Sequence, residues 1–136
     1  MKLLMVYADE FGYRTTLKTL ATEPDRDEEV SLSGVLVGFI HAEESDGERE
    51  GEVVTKLIKN LKWAARKNDT RSVVLHSFAH LAESKAPPEL AKRLLARAEE
   101  RLEAAGYQVH QTPFGYFLYL KVSAPGRPSA RIFKSI

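Results

Sequence analysis

Apolar and polar residues fall along this chain in blocks whose period changes, and each block predicts an element. Lys2–Ala8 (KLLMVYA) is an apolar run of strand length. Tyr13–Thr19 (YRTTLKT), rich in β-branched residues, is expected to return as the second arm of a hairpin. Glu23–Glu29 (EPDRDEE) reads as a charged loop. Val35–His41 (VLVGFIH) reads as a fully buried strand in which Gly38 lets another backbone or a ligand come close. An acidic connector, Ala42–Glu52, leads into a helix over Glu52–Lys67, where Val54, Leu57, Ile58, Leu61 and Ala65 recur at helical spacing. Ser72–His76 is a short buried strand, and Ser77–Leu81 (SFAHL) is the loop after it. Pro87 and Pro88 open a second helix that runs to Ala105 and is closed by Gly106. Proline suits a first helical turn and glycine the position just past an end. Tyr107–Gln111, Tyr116–Ser123 and Ala130–Ile136 read as strands, with a turn at Ala124–Pro128.

The order β-β-β-α-β-α-β-β-β predicts an α/β fold, a mixed sheet carrying two helices. Strand–helix–strand crossovers are right-handed and set neighbouring strands parallel. Ligands favour loops at the carboxyl ends of such strands, and SFAHL occupies one of them.

Composition narrows the field. A chain of 136 residues forms one domain with a real core. No apolar run approaches the roughly 20 residues of a membrane span. The opening MKLLMVYADEF lacks a cleavage site and reads as a first strand rather than a leader. The absence of cysteine excludes disulfides, thiolate metal sites and a cysteine nucleophile, and it suggests a cytoplasmic setting. His41, His76, His80 and His110 lack metal-ligand spacing, so no structural metal is expected. The last strand ends abruptly, so residues 1–136 read as one domain cut from a longer chain.

Charge adds one feature. The net charge is +1, but residues 1–70 hold 14 acids and 10 bases, whereas residues 71–136 hold 5 acids and 10 bases. Such a split suits a phosphate-bearing partner for the second half, or is merely a solvated surface. On the first helix Lys56, Lys59, Lys62, Arg66 and Lys67 share the polar face with Trp63. That stripe can hold phosphates and stack a base. Alternatively, Trp63 packs on a second protomer or a loop.

Familiar catalytic sets are missing: no Gly-x-Ser-x-Gly elbow, no Walker loop, no His-Glu-x-x-His and no dinucleotide fingerprint. Asp9, His76 and His80 could be drawn into a triad with a serine, but their spacing does not support one. On its own, His80 reads as a hydrogen-bonded structural histidine. Taken together, FAHL, the proline-opened helix, Gly-Tyr-x-Val, PFGY and Lys-x-Ser-x-x-Gly-x-Pro resemble the N-terminal editing domain of archaeal-type threonyl-tRNA synthetases. The match is close in the C-terminal half. It is looser before that, through the first strand, Asp9, Tyr13 and VLVGFI.

The resemblance implies a D-aminoacyl-tRNA deacylase-like fold, a homodimer, and hydrolysis of mischarged seryl-tRNA(Thr) without a cofactor. It also implies a synthetase acting in cis or in trans. Serine is threonine less one methyl, worth only about 1–3 kcal/mol of discrimination in a pocket, so a second, hydrolytic site is needed. Mapped by motif, Phe78, Ala79, His80 and the main chain of Ala42 wall the pocket, and Phe114, Gly115, Tyr116 and Phe117 face them. Lys56, Lys59, Trp63, Arg127 and Arg131 are candidate tRNA contacts. Tyr119 and Leu120 are expected to pack in the core.

Family members commonly carry lysine where this chain has Leu118, and often histidine and glutamate where it has Arg127 and Arg131. Lys121, three residues on, faces the other way along a strand and replaces nothing. The implied chemistry is then assisted by the terminal ribose hydroxyl of the RNA, with His80 at most positioning water. The alternatives are a domain that only docks tRNA or dimerises, and a D-aminoacyl-tRNA deacylase.

Overall fold

The computed structural model describes residues 1–136. The elements are β1 (Lys2–Lys18), β2 (Glu29–His41), α1 (Glu50–Lys67), β3 (Ser72–Ser77), α2 (Pro88–Ala104), β4 (Gln108–Gln111), β5 (Tyr116–Ser123) and β6 (Arg131–Ser135). Short 3-10 turns occupy Glu44–Glu48 and Pro128–Ala130.

The expected hairpin of Lys2–Ala8 with Tyr13–Thr19 does not form; both stretches belong to β1. The physical reason is the partner. β1 pairs antiparallel with β2 from Lys2↔His41 to Arg14↔Glu29, so β2 starts inside the predicted charged loop and supplies the hydrogen bonds a hairpin would have used. Asp9 and Gly34 drop out of this ladder, and Gly34 takes a positive φ of 63°. There the side-chain alternation slips by one. Leu4, Val6 and Ala8 share a face with Phe11 and Tyr13, and Val35 and Val37 share it with Leu32 and Val30.

The sheet order is β4-β3-β2-β1-β5, with β6 pairing the first part of the same β1 edge that β5 takes further on. β2–β3 and β3–β4 are parallel, as the two helical crossovers require. A bulge between Thr15 and Leu17 bends the β1–β5 ladder. The result is a half-barrel with two helices on one face.

Those helices follow the sequence pattern closely. α1 buries Val53, Val54, Leu57, Ile58, Leu61, Ala64 and Ala65, with Glu50 and Glu52 in its first turn and Arg66 and Lys67 in its last, each suiting the helix dipole. Gly38 serves this packing rather than a ligand, because a Cβ there would lie 3.0 Å from Leu61 Cδ2. α2 begins at Pro88 and ends in a Schellman cap. The Tyr107 amide bonds the Leu102 carbonyl (3.1 Å), the Gly106 amide bonds the Glu103 carbonyl (3.0 Å), and Gly106 has φ 88°. Both helices join Leu3, Met5, Leu36, Ile40, Val73 and Leu75 in one core. The opposite sheet face holds a smaller cluster around Phe11, Val37 and Phe39, to which neither helix contributes.

Candidate functional site

The carboxyl ends of β2 and β3 lie side by side and feed two segments, Ala42 and Ser77–Leu81. The Phe78 amide still reaches the Ile40 carbonyl (2.9 Å), so the parallel ladder carries the chain into the loop. His41 then ties the loop down. Fully buried, it accepts the Leu81 and Ala82 amides at Nδ1 (2.9 and 3.1 Å), so Nε2 carries the hydrogen and donates it to the Ser84 carbonyl (2.6 Å). Sequence reasoning missed this brace. A buried-strand histidine directly before an acidic connector was the available signal. The amides of Ala79 and His80 make no hydrogen bond within the chain.

The second loop, Thr112–Phe117, is set against the first by β5. Gly115 has φ 80°, and a Cβ there would fall 2.9 Å from Glu23 Cγ and 3.1 Å from Leu20 Cβ. Only glycine meets both conditions. The Tyr116 hydroxyl donates to the Pro24 carbonyl (2.7 Å) and accepts the Arg26 amide (2.8 Å), and the Thr19 amide bonds the Gly115 carbonyl (2.7 Å). The ring of Tyr116 therefore sits at the loop while its polar end is spent on Pro24–Arg26.

Between these loops lies a cavity of about 490 Å³. All eight pocket residues expected from the motifs line it: Ala42, Phe78, Ala79, His80, Phe114, Gly115, Tyr116 and Phe117. Thr19, Leu20, Ile40, Lys85, Leu118 and Leu120 complete much of the wall, and His76 and Ser77 join them from β3. No Asp or Glu is among the lining residues. A larger concavity of about 640 Å³ lies on the outer face of the β2-β1-β5 ribbon, lined by Glu10, Arg14, Glu29, Tyr119 and Lys121 among others. Strand faces alone form it and no motif loop reaches it, so we place the site between the loops.

His76 is the most perturbed group in the cavity. Burial pushes its pKa down to about 4, helped by neighbouring His80, so the ring is neutral at pH 7. Its Nδ1 lies 2.9 Å from Thr112 Oγ1. Phe39 meets its ring edge-on (5.2 Å), and Phe78 and Phe11 lie at 5.8 and 6.4 Å. Tyr13, 2.6 Å from His110 Nε2, has its pKa raised to about 12 chiefly by burial and lies outside the cavity. Asp9 is exposed and also outside it, which dissolves the Asp9–His76–His80 set.

The other sequence candidates lie elsewhere. Lys56, Lys59 and Trp63 are on the outer side of α1, with Lys56 paired to Glu52 (2.9 Å). Trp63 is 39% exposed, with the ammonium groups of Lys67 and Lys134 each 5.8 Å from its ring. Arg127 donates to Asn68 Oδ1 (3.0 Å) at the end of α1 and lies over Tyr7 (5.2 Å). Arg131 opens β6 opposite Val6. None of the five lines the cavity. Leu118 points into it and Lys121 to the outer face, as strand alternation predicts. Tyr119 corrects an expectation: it is 53% exposed and stacked by Arg14 (5.0 Å), because no helix covers the outward face of β5. Leu120, by contrast, packs on the Phe11–Phe39 cluster.

Comparison with known proteins bears on this arrangement. The family described as the Archaea-specific editing domain of threonyl-tRNA synthetase matches residues 1–136. The chain belongs to this family. Relatives include the threonine–tRNA ligases of Thermococcus kodakarensis (34% identical), Pyrococcus horikoshii (32%) and Methanosphaera stadtmanae (31%), each matched over 100% of this chain and 22% of the relative. The chain thus spans about a fifth of the length of the curated relatives it matches. A solved structure of the c-Myc DNA Unwinding Element Binding Protein shares the fold. Its TM-score is 0.70 at 12% identity, covering 100% of this chain and 99% of that one. The editing domain therefore shares its fold with that structure, and membership in an editing family implies aminoacyl-tRNA deacylase activity.

Proposed function

We propose that this editing domain hydrolyses seryl-tRNA(Thr) in the cavity between Ala42, Phe78–His80 and Phe114–Phe117, with the RNA supplying part of the chemistry. One observation carries the reading: both motif loops meet at a single cavity whose walls hold no carboxylate. His76 is buried and poorly basic and Leu118 puts an apolar wall where the resemblance expects an ammonium, which leaves His80, an imidazole at the exposed rim, as the one side chain placed to touch the water. An aminoacyl ester is already activated. What the pocket supplies is position and amide donors for the oxyanion. The unpaired amides of Ala79 and His80 are such donors. The 2′-hydroxyl of the terminal ribose then orients water against the ester carbonyl, and His80 at the rim at most steadies that water. Threonine is rejected because its methyl meets main chain at Ala79 and Gly115, in loops that His41 ties down at Leu81 and Ala82 and that the Tyr116 hydroxyl ties to Pro24.

The same reading makes the 3′ end of tRNA(Thr) the partner, with Lys56, Lys59, Trp63, Arg127 and Arg131 as more distant contacts. The synthetase acts in cis or in trans, with this domain as the N-terminal part of a longer chain, in the cytoplasm. Two copies pair through the helix-free sheet face, where Phe133, directly opposite Leu4, is 52% exposed. Light scattering at a monomer mass sinks the pairing alone.

The decisive assay compares seryl-tRNA(Thr), threonyl-tRNA(Thr) and seryl-tRNA ending in 2′-deoxyadenosine. Release of serine only, lost with the hydroxyl, is expected. Full activity on the deoxy substrate would overturn RNA assistance. Binding without any release would leave a non-catalytic docking module, with Leu118 the first suspect.

A further inference from the structure

His76 is more than a filler of the cavity floor. Its Nδ1 is engaged by Thr112 Oγ1 at 2.9 Å, and that same oxygen lies 3.5 Å from the Leu75 carbonyl. Either partner of the 2.9 Å pair can donate; we place the hydrogen on Nδ1, with the threonine hydrogen turned to Leu75, an order that nitrogen-15 spectra decide. That order leaves Nε2 without a hydrogen. Nε2 has no partner in the chain, yet no buried side-chain nitrogen or oxygen is left unpaired, so it is open to the cavity that His76 lines. Phe39, Phe78 and Phe11 pack the ring and fix its direction.

We propose that His76 Nε2 accepts a hydrogen bond from the α-amino group of the aminoacyl ester bound in this cavity. The inference rests on the deacylase reading above and extends it to one substrate group. An aminoacyl ester brings a cationic amine into a site without Asp or Glu. Such a group needs a lone pair; Thr19 and His80 offer one only from exposed positions and Ser77 from a half-buried one, whereas His76 alone of the polar lining side chains is buried and held by aromatic rings. The Tyr116 hydroxyl already bonds Pro24 and Arg26, and Lys85 is a cation at the exposed rim. A neutral imidazole with a bare Nε2 fits, and depressed basicity keeps it neutral at working pH. His76 is therefore a positioning residue that reads the amine and turns the ester toward the free Ala79 and His80 amides.

The test separates the two ring nitrogens. Asparagine reproduces the Nδ1 position and keeps a partner for Thr112, whereas glutamine reaches the Nε2 position. The probe is a non-hydrolysable adenosine carrying serine through a 3′-amide, beside the same compound lacking the α-amine, so that binding is read without turnover. His76→Asn should weaken the amine-bearing probe by about tenfold or more and leave the other unchanged, the scale of a hydrogen bond to a charged group. His76→Gln should recover most of the loss. Nitrogen-15 spectra of the free protein should show His76 Nε2 without a hydrogen.

Equal binding of both probes by the wild type, an Asn variant that loses both alike, or a hydrogen on Nε2 would overturn the proposal. Selective amine binding with no release of serine from seryl-tRNA would instead sink the deacylase reading and leave the amine contact standing.

Discussion

The sheet face beneath α1 and α2 and the face turned away from them share the same strands but differ in what surrounds them. Beneath the helices, twenty buried residues interlock, from Met1 and Leu3 through Leu57 and Leu61 to Tyr107. On the far side only seven are buried, and Leu4, Val6, Leu32, Leu118 and Leu120 pack there half-exposed. The cavity opens between the two, where His76 and Leu118 meet loops braced by His41 and Tyr116. Cohesion is thus concentrated on one side, while the binding surface draws on positions that the helices leave uncovered.

The comparison can be pressed hardest by truncating one leucine on each face. Leu57→Ala, at a fully buried site on the sheet-facing side of α1, should cost about 2–5 kcal/mol of stability by urea unfolding. Leu118→Ala should cost under about 1.5 kcal/mol, since its side chain is already half-exposed, and should leave serine release largely intact. Equal losses would erase the distinction between the faces.

A pH series is the next largest test. His76 has its ordinary pKa near 6.5 when unfolded and about 4 when folded, so the unfolded chain binds the extra proton between those values. Stability from this group is full above pH 6.5 and lost as pH falls toward 4, by up to about 3 kcal/mol. Urea midpoints at pH 7 and 4.5 measure it, and His76→Gln should flatten that part of the profile. A slope unchanged by the substitution would assign it to other groups. The smallest stability effect belongs to Ala79→Val at the exposed rim, within about 0.5 kcal/mol. Its effect on serine release should nevertheless be about tenfold or more, the worth of a misplaced methyl. An unchanged rate would move the site away from this loop.

How much of this could be read from the chain follows the same divide. Both helices, their punctuation and the parallel pairs β2–β3 and β3–β4 were legible because helical spacing and proline–glycine signals are local. β1 was not. Nothing in the neighbourhood of Asp9–Gly12 tells a turn from a strand whose partner lies some twenty residues downstream, and Phe11 is buried because β2 and β5, both distant in sequence, run alongside. Tyr119 went astray for a related reason: alternation gives two faces but not which of them a helix covers. The cavity residues were found through motif resemblance, whereas His41 and His76 act through contacts across 35 residues or more and leave no spacing to detect.

β1 also bears on how this domain can change over evolutionary time. Three neighbours, β2, β5 and β6, take their register from this one strand. A single inserted residue between Lys2 and Ala8 would send Leu3 and Met5 to the uncovered side and drag the β6 ladder with them. Length variation among descendants should therefore collect at open connections such as Pro125–Gly126, where a side chain added to the glycine would meet nothing within 4 Å, and be purged from β1 itself.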